Sequence, residues 1–195
     1  MKYCKRCILP DTKPGVVFNE EGICSACIST SLKHQIDWNA RQKNLKQMCD
    51  EIKATNQGQY DCIVPVSGGK DSMFQLHTMK EKYNMKVLAV IVMAHLQTAE
   101  GIENINSMVS NIGIDLIKIS PRHSTMKKIR KMALIEFGNP NFAEHRIVFT
   151  AVARTALFYE VPLVVWGEDI GTEFGGNVHK SSMEGSAEDL FDNDL

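Results

Sequence analysis

Asp61-Cys62-Ile63-Val64-Pro65-Val66 followed by Ser67-Gly68-Gly69-Lys70-Asp71-Ser72 is the stretch on which the reading of this chain turns. The first six residues are a short apolar run suited to a buried strand, and the next six are a glycine-rich turn opening into helix-compatible sequence from Ser72 to Tyr83. A strand-to-helix turn with paired glycines lets backbone amides converge on an anion, and the following helix N-terminus adds roughly half a positive charge. Lys70 contributes a mobile cation, while the hydroxyls of Ser67 and Ser72 are donors suited to phosphate oxygens. Asp71 is the unusual residue, because a carboxylate among phosphates is repulsive unless a cation lies between them. It therefore points either to Mg2+ or to a role as helix cap. A Walker A loop would need glycine at position 64 and Ser or Thr at position 71, where the chain has Val64 and Asp71. The Rossmann Gly-x-Gly-x-x-Gly pattern is missing as well.

Beyond this turn the chain alternates strands and helices. Lys86 to Met93 reads as a second buried strand, Asp115 to Ile119 as a third, and Pro162 to Trp166 as a fourth that ends at Gly167-Glu168. Helices are expected over Gly101 to Asn111, Ser124 to Phe137 and Val148 to Tyr159. Continuous apolar strands joined by helices predict an α/β fold with a parallel sheet covered on both faces, whose ligands sit at the carboxyl ends of the strands. Asn56-Gln57-Gly58-Gln59 breaks the pattern and places the start of this domain, 59–195, after a polar helical linker, 31–58. In that linker Ile36, Trp38, Leu45, Met48 and Ile52 form an irregular apolar stripe and are expected to pack, as is Cys49. Cys62, inside the first strand, reads as a buried structural thiol.

The first 30 residues carry a different chemistry. Cys4-Lys5-Arg6-Cys7 and Cys24-Ser25-Ala26-Cys27 are two C-x-x-C pairs separated by 16 residues, the spacing of a four-thiolate zinc site. Gly15 to Phe18 reads as a strand and Asn19 to Gly22 as the turn returning the chain to the second pair, which together make a small ribbon. So short a segment has little to bury, and structural zinc supplies on the order of 10 kcal/mol of folding energy in such cases. Two disulfides or an iron–sulfur cluster are the other readings of four cysteines. With four protein thiolates as ligands, no coordination position stays open for catalysis.

Composition narrows the function classes. The chain has 195 residues, 44% hydrophobic and 23% charged, with a formal net charge of -1, as an ordinary globular protein has. No apolar run approaches the ~18 residues of a membrane span, and the N-terminus is not followed by a signal-peptide core, so a cytoplasmic protein is expected. Residues 1–60 carry a net +3 and residues 61–195 a net -4, so the chain lacks the strongly basic surface of a dedicated nucleic-acid binder. The local cluster Arg122, Lys127, Lys128, Arg130 and Lys131 reads as a solvated helix face.

The S-G-G-x-D-S signature resembles that of the PP-loop ATP pyrophosphatases, and the resemblance implies a Rossmann-like fold of the adenine nucleotide alpha hydrolase type. Such enzymes hold the pyrophosphate of ATP, adenylate an amide or carbonyl oxygen, release PPi and let ammonia or sulfur displace AMP. Thiolation needs a further cysteine near the nucleotide, and none follows Cys62. The whole chain resembles the N-acetyl sugar amidotransferases of bacterial surface-polysaccharide and flagellin-glycan biosynthesis. The likeness runs through Tyr3 to Thr12, Glu21 to Cys27, Ile36-Asp37-Trp38, Tyr60 to Ser72 and Val165-Trp166-Gly167-Glu168. It implies an ATP- and Mg2+-dependent conversion of a sugar acetamido group to an acetamidino group. Ammonia would come from a separate glutaminase subunit, since no Cys/His/Glu glutaminase triad is recognisable here. A tRNA-modifying PP-loop enzyme is the alternative, expected to retain tRNA in a salt-sensitive manner; a non-catalytic nucleotide-binding module is a third.

By this resemblance Ser67, Gly68, Gly69, Lys70, Asp71 and Ser72 bind the nucleotide, with Lys70, Asp71 and Glu168 as the catalytic residues. His95, after the second strand, is placed near the adenosine. Glu168, with Asp169, lies where a ligand should be and reads either as a substrate or metal ligand or as a loop cap; Glu173 to Gly176 follows on the same side. His145 and Arg146 either face the ligand or serve surface and capping roles. Two departures stand out. The cysteine pair that family members carry shortly before the segment corresponding to Asn139–Arg146 is missing, and the family extends beyond the Trp-Gly-Glu strand to a fifth strand.

Overall fold

In a computed structural model, residues 1–13, 15–93 and 97–167 are described. Within them the chain forms two compact units, one at positions 1–38 and one at 39–167.

In the second unit three strands, β1 (Cys62–Pro65), β2 (Val87–Val92) and β3 (Asp115–Ile119), form a parallel sheet in the order β1-β2-β3. Ile63 pairs with Leu88 and Leu88 with Asp115, which fixes the register. The expected fourth strand is shorter than the sequence suggests. Val164 makes a single parallel bridge to Ile63, carried by Ile63 N–H to the Leu163 carbonyl at 2.8 Å and Val165 N–H to the Ile63 carbonyl at 2.9 Å. β1 is thereby flanked on both sides and becomes an inner strand.

Every residue of β2 is buried, as the uninterrupted run Val87-Leu88-Ala89-Val90-Ile91-Val92 requires of a strand covered on both faces. The alternation of side chains then makes two cores. Cys62, Val64, Val87, Ala89 and Ile91 pack with Cys49, Leu76, Met79, Ile105 and Met108 from helices α2 (Trp38–Thr55), α3 (Lys70–His77, continued by a π turn over Thr78–Lys82) and α4 (Ala99–Ile112). Ile63, Leu88, Val90 and Val92 pack with Met126 of α5 (His123–Phe137) and Val152 of α6 (Phe142–Phe158). Burial pushes the Cys62 thiol up to about 12, so it is an inert core thiol as expected.

Two expectations need correction. Trp38 and Met48 are exposed, at 59% and 47%, instead of packing; of the proposed stripe Leu45 and Ile52 join Cys49 against the core. A core-facing stripe on α2 follows the spacing Leu45, Cys49, Ile52, and Met48 falls to its side. Helix α6 starts at Phe142, six residues before the expected Val148. The polar run Glu144-His145-Arg146 hides its helical character in the sequence, because Glu144 is buried by pairing with Arg130 across α5 and α6.

The first unit holds α1 (Ser25–Leu32) and a 3-10 turn, Lys33–Gln35. Among the described residues the ribbon's pairing is reduced to two antiparallel bridges, Tyr3 with Pro10 and Phe18 with Cys24, so the expected Gly15 to Phe18 strand contributes one bridging residue. The expected turn is present: Gly22 N–H donates to the Asn19 carbonyl at 2.9 Å, with Gly22 at φ +79°.

Candidate functional site

The glycine turn leaves the carboxyl end of β1 and enters α3, on the side where parallel α/β sheets bind ligands. Val66 N–H still donates to the Val90 carbonyl at 2.9 Å, so the strand carries the turn as far as Ser67. Gly68 is buried and left-handed, φ +83°, and a Cβ there would stand 2.8 Å from the Gly101 carbonyl oxygen of α4. Only glycine fits both conditions. Ser72 is buried and its hydroxyl closes the turn, donating to the Gly69 carbonyl at 3.0 Å and accepting from Ser67 N–H at 3.3 Å. Ser67 Oγ accepts from Gly69 N–H at 3.3 Å, and Asn104 Nδ2 donates to the Gly68 carbonyl at 3.1 Å.

No side chain caps the N-terminus of α3. Ordinary helices recruit Ser, Thr, Asp or Asn to that position, and leaving it to Gly69 keeps the first-turn amides available to an anion. Lys70 and Asp71 are both exposed and pair at 2.6 Å. Asp71 therefore does not cap the helix; it sits at the rim beside the one cation of the loop. A polyphosphate fits this arrangement, and a cation at Asp71 is compatible with it. His95, Glu168, Asp169 and Glu173 to Gly176 lie outside the described residues. His145 is exposed, and Arg146 lies over the Phe142 ring at 5.1 Å, on the α5–α6 side of the sheet. Of the basic cluster, Arg122, Lys127, Lys128 and Lys131 are exposed as expected, whereas Arg130 pairs with Glu144.

Sequence reasoning missed Gly101, Asn104 and the contact of α3 with Gly167. A Cβ on Gly167 would fall 1.5 Å from Gln75 Nε2, so a side chain there would require the Gln75 amide to swing aside.

In the first unit the ligand atoms of Cys4, Cys7, Cys24 and Cys27 lie within 4.8 Å of one another. Cys7 Sγ is 3.5 Å from Cys24 Sγ and Cys4 Sγ is 4.0 Å from Cys27 Sγ, well beyond the ~2.05 Å of a disulfide. Burial alone would raise the Cys4 thiol, but backbone N–H groups of Cys24, Arg6 and Cys7 donate towards its sulfur and bring it down to about 6. Hydrogen bonding with Cys7, then burial, pushes Cys27 up to about 12, and burial raises Cys24. One thiolate is thus ready and its neighbours resist ionising beside it, which is the state a divalent cation relieves. The donor set suits a tetrahedral metal.

No protein-family model matches the chain. An uncharacterized protein of Methanocaldococcus jannaschii, MJ1599, is 26% identical over 184 residues, 93% of this chain, and the chain spans 64% of that relative's length. Among solved structures, the NH3-dependent NAD synthetase of Campylobacter jejuni, in complex with nitrate ion, superposes with a TM-score of 0.53 at 16% identity. The match covers 70% of this chain and 58% of that one. The glutamine-dependent NAD+ synthetase of Acinetobacter baumannii, in complex with ADP, gives 0.52 at 16%, over 65% of this chain and 25% of that one. The α/β unit has the PP-loop fold. The likeness is one of fold, carried by the parallel sheet and the helices that cover it. Among the described residues no helix is long and apolar enough to cross a membrane.

Proposed function

We propose that this chain is the ATP-using part of a cytoplasmic amidotransferase that converts the acetamido group of an N-acetylated, nucleotide-linked sugar to an acetamidino group, in bacterial O-antigen or flagellin-glycan biosynthesis. The observation that carries the reading is the turn from Ser67 to Ser72, with a buried left-handed Gly68 and a helix N-terminus left uncapped at Gly69. The resemblance of the whole sequence to sugar amidotransferases supports the substrate class. The NAD synthetases that share the fold are named for reactions using NH3 or glutamine, which supports ammonia as the nucleophile.

In the proposed reaction the acetamido oxygen attacks the α-phosphorus of ATP, and the bond to the β-phosphate bridging oxygen breaks to release PPi. Ammonia, supplied by a glutaminase partner, adds to the activated carbon. The carbon–oxygen bond then breaks, AMP leaves with the electron pair, and loss of a proton gives the amidine. The amides of the turn and Lys70 neutralise the departing pyrophosphate, with Mg2+ held at Asp71. Zn2+ on Cys4, Cys7, Cys24 and Cys27 is structural in this reading. His95 and Glu168 are assigned to the adenosine and to substrate or metal.

The test is PPi release from ATP with ammonium and a panel of N-acetylated nucleotide sugars, reading the product mass for exchange of O for NH. Lys70→Ala and Asp71→Ala should each lower PPi release by about a hundredfold or more while leaving the fold intact. Wild-type turnover in both variants would remove the assignment.

A further inference from the structure

We infer that Asn104, on α4, is a positioning residue of the phosphate turn. The inference rests on reading that turn as an anion site. In a trans peptide the carbonyl and the following N–H point in opposite directions. Asn104 Nδ2 holds the Gly68 carbonyl at 3.1 Å, towards α4, and so directs Gly69 N–H away from α4, to the side of the turn where it donates to Ser67 Oγ at 3.3 Å and where Ser67 Oγ would share it with an anion. Ser72 Oγ, on α3, holds the Gly69 carbonyl at 3.0 Å, which points Lys70 N–H away from that hydroxyl. The two carbonyls that would repel a phosphate are each held by a side chain, one from α3 and one from α4.

Gly68 needs that restraint more than any other residue of the turn. Its left-handed conformation, φ +83°, is one that glycine leaves easily, and a flip of its peptide would turn the carbonyl where Gly69 N–H now points. α4 is suited to hold it, because Ile105 and Met108 anchor that helix in the core and the missing Cβ of Gly68 makes room for the Gly101 carbonyl beside the turn. Ile105 Cγ1 would lie 3.3 Å from a Cβ on Gly68, so the residue next to Asn104 closes the same contact. Asn104 itself remains exposed, so its hydrogen bond is not a requirement of core packing.

The experiment measures binding of inorganic pyrophosphate and of ATP by calorimetry to the full chain and to Asn104→Leu, Asn104→Asp and Asn106→Asp. Asn106 is an exposed residue of the same helix that does not touch the turn. Both Asn104 variants should bind about tenfold more weakly, equivalent to ~1.4 kcal/mol, with thermal midpoints close to wild type and Asn106→Asp unchanged. A merely structural role would move the midpoint along with the affinity. Wild-type affinity in both Asn104 variants overturns the positioning role and leaves the proposed function standing. A wild-type chain that binds neither probe overturns the anion site, and the inference falls with it.

Discussion

Gly68 bears two constraints at once, a left-handed backbone and a carbonyl of α4 standing 2.8 Å from where its Cβ would be. Neither relaxes cheaply, because the left-handed conformation costs an L residue ~1 to 2 kcal/mol and the obstacle is backbone, not a mobile side-chain end. Gly68→Ala is therefore expected to lose nucleotide binding and to destabilise the α/β unit by about 2 kcal/mol or more, measurable as a lower urea midpoint with unchanged slope. Gly69 carries no such burden, and a Cβ there meets only Ser67 Oγ at 3.3 Å, so Gly69→Ala should be the milder change. The sequence made the pair of glycines conspicuous without telling them apart. The difference comes from Gly101 on another helix, and a contact of that kind has no local signature.

At the scale of elements, the amino ends of β1 and β2 are tied to the end of α2 by one buried carboxylate. Asp61 is 1% exposed and accepts from Asn56 Nδ2 at 2.9 Å and from Lys86 N–H at 2.8 Å, with Lys86 Nζ at 3.7 Å. Asp61→Ala would leave the amide of Asn56 and a backbone N–H without this acceptor and should cost about 2 kcal/mol of unfolding free energy, again read by denaturant titration. Little loss on this substitution would mean that water replaces the carboxylate. The strands and most helices were legible because burial on both faces writes itself as Val87 to Val92 and similar runs. Helix α6 was legible only in part: its first turns owe their burial to Arg130, a partner outside the helix, so periodicity stopped at Val148. The stretch after Pro162 looked like a strand of full length, yet a bridge at Val164 is all that pairs, since the pattern records burial and not the number of hydrogen bonds.

At the scale of the molecule, the two units hold together by different means. The α/β unit has two apolar cores, whereas the buried residues of the first unit are Cys4, Cys24 and Cys27 with a thin shell including Leu9, Phe18 and Ile23. Metal removal by a strong chelator should therefore unfold the first unit and spare the second, with bound metal near one equivalent per chain before treatment. Thermal scans and amide exchange would show this, and loss of the α/β transition on chelation would contradict it. Cys4→Ser with Cys7→Ser should reproduce the chelated state. The thiolate spacing announced this site in the sequence, but the strong polarisation of Cys4 against Cys27 needed the fold, since backbone N–H groups face the Cys4 sulfur while Cys27 is raised by hydrogen bonding with Cys7 and by burial. The bridge from Ile63 to Val164 has a last consequence, for the order of events during synthesis. Ile63 meets its outer neighbour only after about a hundred further residues have been made. On the ribosome the outer edge of β1 thus stays open while β2 and β3 are already able to pair, so that this long-range contact is a late one. Until then the nascent chain presents an unpaired strand edge, the feature most prone to capture by other chains or by chaperones.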